Sequence, residues 1–164
     1  MRQIKKIILH CSATETKPGS HPVTIKDIRR MHKARGWDDV GYHYYIRLDG
    51  TLEEGRPVET EGAHCKGHNA DSIGICYEGG LLEGKPCDTR TPVQKMVMLY
   101  LIVTLLTKFD IESIHGHNEF AAKACPCFDV QEEYKQLNEI LKTKSNKKET
   151  AQLTLEYYCR MLRL

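Results

Sequence analysis

Tyr42-His43-Tyr44-Tyr45-Ile46-Arg47-Leu48-Asp49-Gly50-Thr51 decides the fold class. The run is rich in aromatic residues and alternates as far as Leu48, which is the pattern of a half-buried strand. Asp49-Gly50 is a strong hairpin signal, because the glycine adopts the positive φ that a tight turn demands. Thr51–Arg56 then reads as the returning strand. A hairpin pairs its strands antiparallel, so a purely parallel sheet is excluded.

The rest of the chain arranges itself around this hairpin. Upstream, Ile4–Cys11 is rich in Ile and Leu and reads as a buried strand with His10 at its end. Pro18, Gly19 and Pro22 mark a loop. Thr24 followed by Asp27 resembles a helix cap, Ile25, Ile28 and Met31 share a helical face, and Gly36 is a stop. A helix over Thr24–Arg35 follows from these signals. Downstream, Ser72–Tyr77 is a short buried strand ending at Gly79-Gly80. Thr91-Pro92-Val93-Gln94 reads as a capping box with proline at the first helical position, and opens an apolar helix running to Phe109. Ile111–Gly116 is a strand leading into His117, and Asp129–Lys142 is a helix. Strands alternate with helices, so the class is α/β: a central mixed β-sheet of about five strands flanked by helices.

Lys142–Glu149 is basic and polar and reads as a linker. Beyond it, Thr150–Leu164 forms an amphipathic pattern through Leu153, Tyr157, Met161 and Leu164. The expected division is a domain over residues 1–144 and a C-terminal helical extension over 145–164, which packs on the domain or on a partner.

Composition narrows the function classes. The 164 residues suit one domain, and the 40% apolar content suffices for a core without a staple. With 24 basic and 22 acidic residues the net charge is +2, so nothing points to nucleic acid or to a charged membrane surface. Seven cysteines, an odd number, do not read as a disulfide framework; reduced thiols are the simpler expectation. The first residues hold no apolar stretch of signal-peptide length, and Met96–Leu106 is too short to span a bilayer. The chain is therefore expected to be cytoplasmic as synthesised, with no membrane anchor, and monomeric.

Three residues carry metal-binding chemistry: His10 at the end of the first strand, His117 after a later one, and Cys125 in Lys123-Ala124-Cys125-Pro126. Imidazole nitrogen and thiolate are common zinc ligands, and a catalytic site keeps one position open for water. Taken singly, each residue has an ordinary reading. His10 fits a strand-end imidazole satisfied by hydrogen bonds, and Cys125 fits a small buried side chain. No short ligand motif joins them.

Several motifs in order change this reading. They are Ile8-Leu9-His10-Cys11-Ser12-Ala13-Thr14, Ile28-Arg29-Arg30-Met31-His32, Gly36-Trp37-Asp38-Asp39-Val40-Gly41-Tyr42-His43, Asp49-Gly50-Thr51, Gly62-Ala63-His64-Cys65-Lys66-Gly67-His68-Asn69, Ser72-Ile73-Gly74-Ile75, Gly116-His117-Asn118-Glu119 and Lys123-Ala124-Cys125-Pro126. They occur in family order and resemble the type 2 N-acetylmuramoyl-L-alanine amidases, a family that includes small phage amidase lysozymes and animal peptidoglycan recognition proteins, and the resemblance covers about residues 4–140. The lysine at 123 resembles the phage branch.

The resemblance implies an amidase/peptidoglycan-recognition-protein-like fold and hydrolysis of the bond between N-acetylmuramic acid and L-alanine in peptidoglycan. It implies one zinc ion per chain, held by His10, His117 and Cys125, with Tyr42 and Lys123 acting beside the metal. It further implies that His64, His68, Asn69 and His43 contact substrate, although His43 equally fits a partner behind a metal ligand or a packed imidazole. The expected partner is peptidoglycan, reached by release or by another export route, as for a phage endolysin. A non-catalytic wall-binding module on the same fold is the alternative. Some relatives of that kind lack a ligand, often the cysteine, whereas all three candidate ligands, Tyr42 and Lys123 are present here. Cys127 departs from the phage pattern, where a small polar residue is usual. It is a candidate competitor for the metal or redox partner of Cys125. Cys11 is expected to point away from the metal, because adjacent strand residues face opposite sides.

Overall fold

A computed structural model describes residues 2–16, 19 and 21–143. The expected extension over 145–164 lies outside the described residues. In chain order the strands are β1 (Lys6–Cys11), β2 (Thr14–Glu15), β3 (Tyr44–Ile46), β4 (Leu52–Glu54), β5 (Ser72–Tyr77), β6 (Gly80–Leu82), β7 (Lys85–Pro86) and β8 (Ser113–Gly116). The helices are α1 (Ile25–Ala34), α2 (Pro92–Lys108), α3 (Val130–Glu133) and α4 (Lys135–Lys142).

Five strands form the central sheet in the order β4-β3-β5-β1-β8. β1 pairs in parallel with β5 and β8, and β3 pairs in parallel with β5. β4 alone runs antiparallel, returned by the hairpin whose Gly50 has φ 85°. The sheet is mixed, as the Asp49-Gly50 turn predicts. The hairpin strands are shorter than Tyr42–Leu48 and Thr51–Arg56 suggest. A second sheet, β2-β6-β7, is not foreseen from the sequence, because two- and three-residue strands leave no periodicity to read.

Alternation along β1 divides its side chains between two cores. Ile7, Leu9 and Cys11 pack with Ile73, Ile75, Tyr77 and Ile114 beneath α2, whose Met98, Leu101, Ile102, Leu105 and Leu106 cover that face. On the other face Ile25 and Ile28 of α1 pack on Val40, Tyr45 and Cys76, with Tyr42 at the margin. His10 is opposite Cys76 in the parallel register and shares that α1 face.

The caps behave as the sequence predicts. Thr24 and Asp27 close a reciprocal capping box on α1, and Thr91 and Gln94 close one on α2, with Pro92 at its start. Each such cap stabilises its helix by about 1 kcal/mol. Met31, placed on the apolar face of α1 by spacing, is 39% exposed, and His32 takes the buried position instead. The expected Asp129–Lys142 helix is interrupted at Tyr134, which ends α3 and precedes α4.

Candidate active site

All the parallel strands present their carboxyl ends to one edge of the sheet, where open α/β sheets carry their sites. His10 is the penultimate residue of β1. His117 begins a single 3-10 turn, His117–Glu119, directly after β8. β8 is an edge strand, and a side chain completes its pairing: Asn138 of α4 accepts from the Ile114 N–H (2.8 Å) and donates to the Ile114 carbonyl (3.0 Å). The turn is held by Glu119, whose carboxylate accepts from the Gly116 N–H.

Cys125 arrives on a loop tied to both histidine segments. The Asn118 N–H donates to the Cys125 carbonyl at 2.7 Å, and the Cys11 N–H donates to Cys125 Sγ at 3.3 Å. One nitrogen from each of His10 and His117, together with Cys125 Sγ, lie within 4.8 Å of one another. Two imidazoles and a thiol converging at this distance fit a divalent ion of intermediate softness, zinc foremost. The ligand form of histidine is the neutral ring. Burial pushes the pKa of both His10 and His117 down, for His10 far down, and the nearby Lys123 charge adds to the effect.

Tyr42 packs its ring 5.1 Å from that of His10. Burial, with the Cys76, Cys125 and Cys11 thiols nearby, raises the Tyr42 hydroxyl well above its ordinary pKa, so it stays protonated at neutral pH. Lys123 is exposed, and its charge is felt at both His10 and His117.

The residues expected to meet substrate separate into two groups. His68 is half-buried and stacks on Phe120 with ring centroids 4.1 Å apart, beside the His117 turn. Asn69 is half-buried too, but its side-chain oxygen accepts from the backbone N–H groups of His64 and Cys65, both at 2.9 Å. His43 and His64 are buried, at 1% and 7% exposure. His43 Nδ1 accepts from the Gly74 N–H, and its Nε2 faces the Thr60 carbonyl. The packed-imidazole alternative describes its surroundings. His64 Nδ1 lies 3.0 Å from His10 Nε2.

Cys127, the candidate competitor for the metal or redox partner of Cys125, is not in the donor cluster found among the described residues, and its thiol faces Cys11 at 3.7 Å. Cys127 has φ 69°, which turns its side chain to the α2 face, where Sγ donates to the Gly80 carbonyl and lies beside Cys11. Among residues that sequence reasoning passed over, Ser72 sits beneath His64. Arg90 is buried against Asp88 and Glu133, with its guanidinium carbon 3.2 Å from the centre of the Phe128 ring. Arg2 donates to the carbonyls of Val58, Asn69 and Ser72 and so braces the loop that carries His64.

A mixed sheet with two histidines and a cysteine gathered at its carboxyl edge defines a small α/β domain with a metal-type donor set. Residues 1–128 match the sequence profile described as N-acetylmuramoyl-L-alanine amidase, and the chain belongs to that family. The endolysin of Escherichia phage T7 is 46% identical over 126 residues, which cover 76% of this chain and 82% of that one. The endolysin of Klebsiella phage KP32 is 40% identical over 131 residues, 79% of this chain and 85% of that one. Among solved structures, the N-acetylmuramoyl-L-alanine amidase LysC from Clostridium intestinale superposes with a TM-score of 0.71 at 32% identity, covering 84% of this chain and 87% of that one. The bumblebee recognition protein PGRP-SA superposes with a TM-score of 0.66 at 27% identity, covering 80% of each chain. The enzyme class is that of the N-acetylmuramoyl-L-alanine amidases, and the relatives place it with the peptidoglycan-degrading endolysins.

Proposed function

We propose that this chain is a zinc-dependent endolysin that hydrolyses the amide bond between N-acetylmuramic acid and the L-alanine of the stem peptide. The observation that carries the zinc reading is the convergence of His10, His117 and Cys125 donor atoms within 4.8 Å of one another, with both imidazoles held neutral by burial. Zinc bound there supplies a Lewis acid and lowers the pKa of water to about 7. The remaining chemistry belongs to the side chains. The Lys123 ammonium stabilises negative charge developing on the substrate carbonyl oxygen. The Tyr42 hydroxyl, kept protonated, donates a hydrogen bond at the reacting centre. His68, with its ring beside the His117 turn, is the substrate contact its half-buried position best supports.

On this reading the catalytic unit is residues 1–144, and the substrate is the bacterial wall. No helix among the described residues is long and apolar enough to cross a membrane. Digestion of purified peptidoglycan with and without a chelator, followed by mass analysis, tests the proposal. Free stem peptides that vanish on chelation are expected. Cut glycan strands, or release that is indifferent to chelation, would refute it.

A further inference from the structure

The His64 side chain is lodged beneath His10, and its surroundings are built to hold it there. His10 has two ring nitrogens with different partners: Nδ1 lies 3.8 Å from Cys125 Sγ, and Nε2 lies 3.0 Å from His64 Nδ1. If Nδ1 lends its lone pair to a metal, the ring proton sits on Nε2 and is donated to His64 Nδ1. The His64 proton then sits on its own Nε2, facing Ser72 Oγ at 3.4 Å, and the Ser72 hydroxyl donates to the His68 carbonyl at 2.5 Å. Every donor in this row meets an acceptor. The row ends on a carbonyl that can only accept, so its direction is fixed.

The slot around the ring is an independent observation. A Cβ at Gly74 would stand 2.6 Å from His64 Cγ and Cδ2, and a Cβ at Gly62 would stand 2.5 Å from His64 Cδ2. Neither glycine is among those with positive φ, so backbone conformation does not call for glycine at either place. Gly74 lies inside β5 between Ile73 and Ile75, where a glycine weakens a strand unless something approaches closely. The approaching group is the His64 ring. Asn69 fixes the backbone from the other side by accepting from the N–H groups of His64 and Cys65.

We propose that His64 is a positioning residue for the metal centre: from a slot cut by Gly62 and Gly74, it holds His10 in the tautomer and ring rotation that turn Nδ1 toward Cys125 and His117. This rests on the zinc reading above. Partners of this kind typically contribute 10- to 100-fold in metal affinity.

The test compares two neutral, polar replacements. In His64→Asn the side-chain oxygen reaches the place of Nδ1 and still accepts from His10. In His64→Gln the amide reaches only toward Ser72. Zinc affinity is measured for both by competition with a chelating dye, and the absorption spectrum of the cobalt-loaded proteins is recorded. His64→Asn is expected to bind zinc within a few-fold of the unchanged protein, with a similar cobalt spectrum. His64→Gln is expected to lose about 10- to 100-fold, with an altered spectrum. Gly74→Ala, which changes no hydrogen-bonding group, is expected to follow His64→Gln. Equal affinity and spectra for the Asn and Gln variants would overturn the proposal, whether both were tight or both weak. If the unchanged protein binds no zinc while still cutting the wall, the zinc reading falls and this inference falls with it.

Discussion

The Cys11 and Cys127 thiols face each other at 3.7 Å, on the side of β1 away from His10. Cys125, only two residues before Cys127, turns its thiol toward His10 instead. Alternation along β1 puts Cys11 on the α2 face, and the positive φ of Cys127 brings its thiol to the same face. The two cysteines nearest the site in sequence are thus kept off the donor cluster. Cys127→Ser is expected to retain zinc stoichiometry and wall-cutting activity within about two-fold, because the hydroxyl keeps a donor for the Gly80 carbonyl. Cys125→Ser is expected to lose both. Metal analysis and turbidity loss of wall suspensions read the two outcomes; zinc loss in Cys127→Ser would mean that Cys127 supplies a ligand.

Lys123 is exposed, so its replacement disturbs little buried surface. Lys123→Met is expected to fold and bind zinc normally while losing about 100-fold in kcat, the usual effect of deleting one group that stabilises an oxyanion. The same variant should raise the affinity of His10 and His117 for protons, since the Lys123 charge helps hold both pKa values down. Steady-state kinetics on soluble muropeptides distinguish this from a binding defect. An unchanged kcat with raised KM would assign Lys123 to substrate capture.

Arg90 joins the start of α2 to α3 and to the loop carrying Cys125. Its side chain is fully buried, forked onto Asp88 (2.9 Å) and Glu133 (2.7 Å), and its guanidinium lies over Phe128. Removing it takes the shared cation from two part-buried carboxylates, of which Asp88 keeps only Lys95 at 3.5 Å. Arg90→Met is therefore expected to destabilise the fold by about 3 to 5 kcal/mol. Arg90→Lys should recover little of this, because a point charge cannot serve two forks and a ring face. Urea unfolding measures the difference, and a loss under about 1 kcal/mol for either variant would show that the network is dispensable.

What the sequence revealed depends on how local each signal is. The capping boxes at Thr24 and Thr91, the Asp49-Gly50 turn and the apolar run Ser72–Tyr77 are local, and each appears where the residues predict it. His10, His117 and Cys125 lie on three separate segments, and only the ordered motifs joined them before the fold brought them together. The burial of His43 and His64 and the backbone contacts of Asn69 were not readable. A histidine in a glycine-rich loop looks the same whether it faces solvent or strand β5. Gly74 was the available clue: a glycine inside an otherwise apolar strand signals close approach of another group, here the His64 ring. Arg90 gave no sequence signal at all, since its partners Asp88 and Glu133 lie on different elements.

The buried histidines set a pH limit on the metal-free protein. Burial lowers His32 and His43 from about 6.5 to about 4, and it lowers His10, His64 and His117 in the same direction. An unfolded chain takes protons on these rings near pH 6.5, while the folded chain takes them only at lower pH. The unfolded state therefore binds more protons in the window between, and stability falls as the pH drops from about 6.5 toward 4. Each fully excluded ring contributes a slope of up to about 1.4 kcal/mol per pH unit. Urea unfolding of chelator-treated protein at pH 7.5, 6 and 5 should show a loss over both intervals, with a steeper slope per pH unit over the second. His32→Asn keeps an acceptor for the Gly41 N–H, which His32 Nδ1 now receives at 2.9 Å, but cannot titrate. It should flatten the second interval by one ring's share. A stability that stays level from pH 7.5 to 5 would mean that these imidazoles accept protons in place, and that burial does not keep the site histidines neutral.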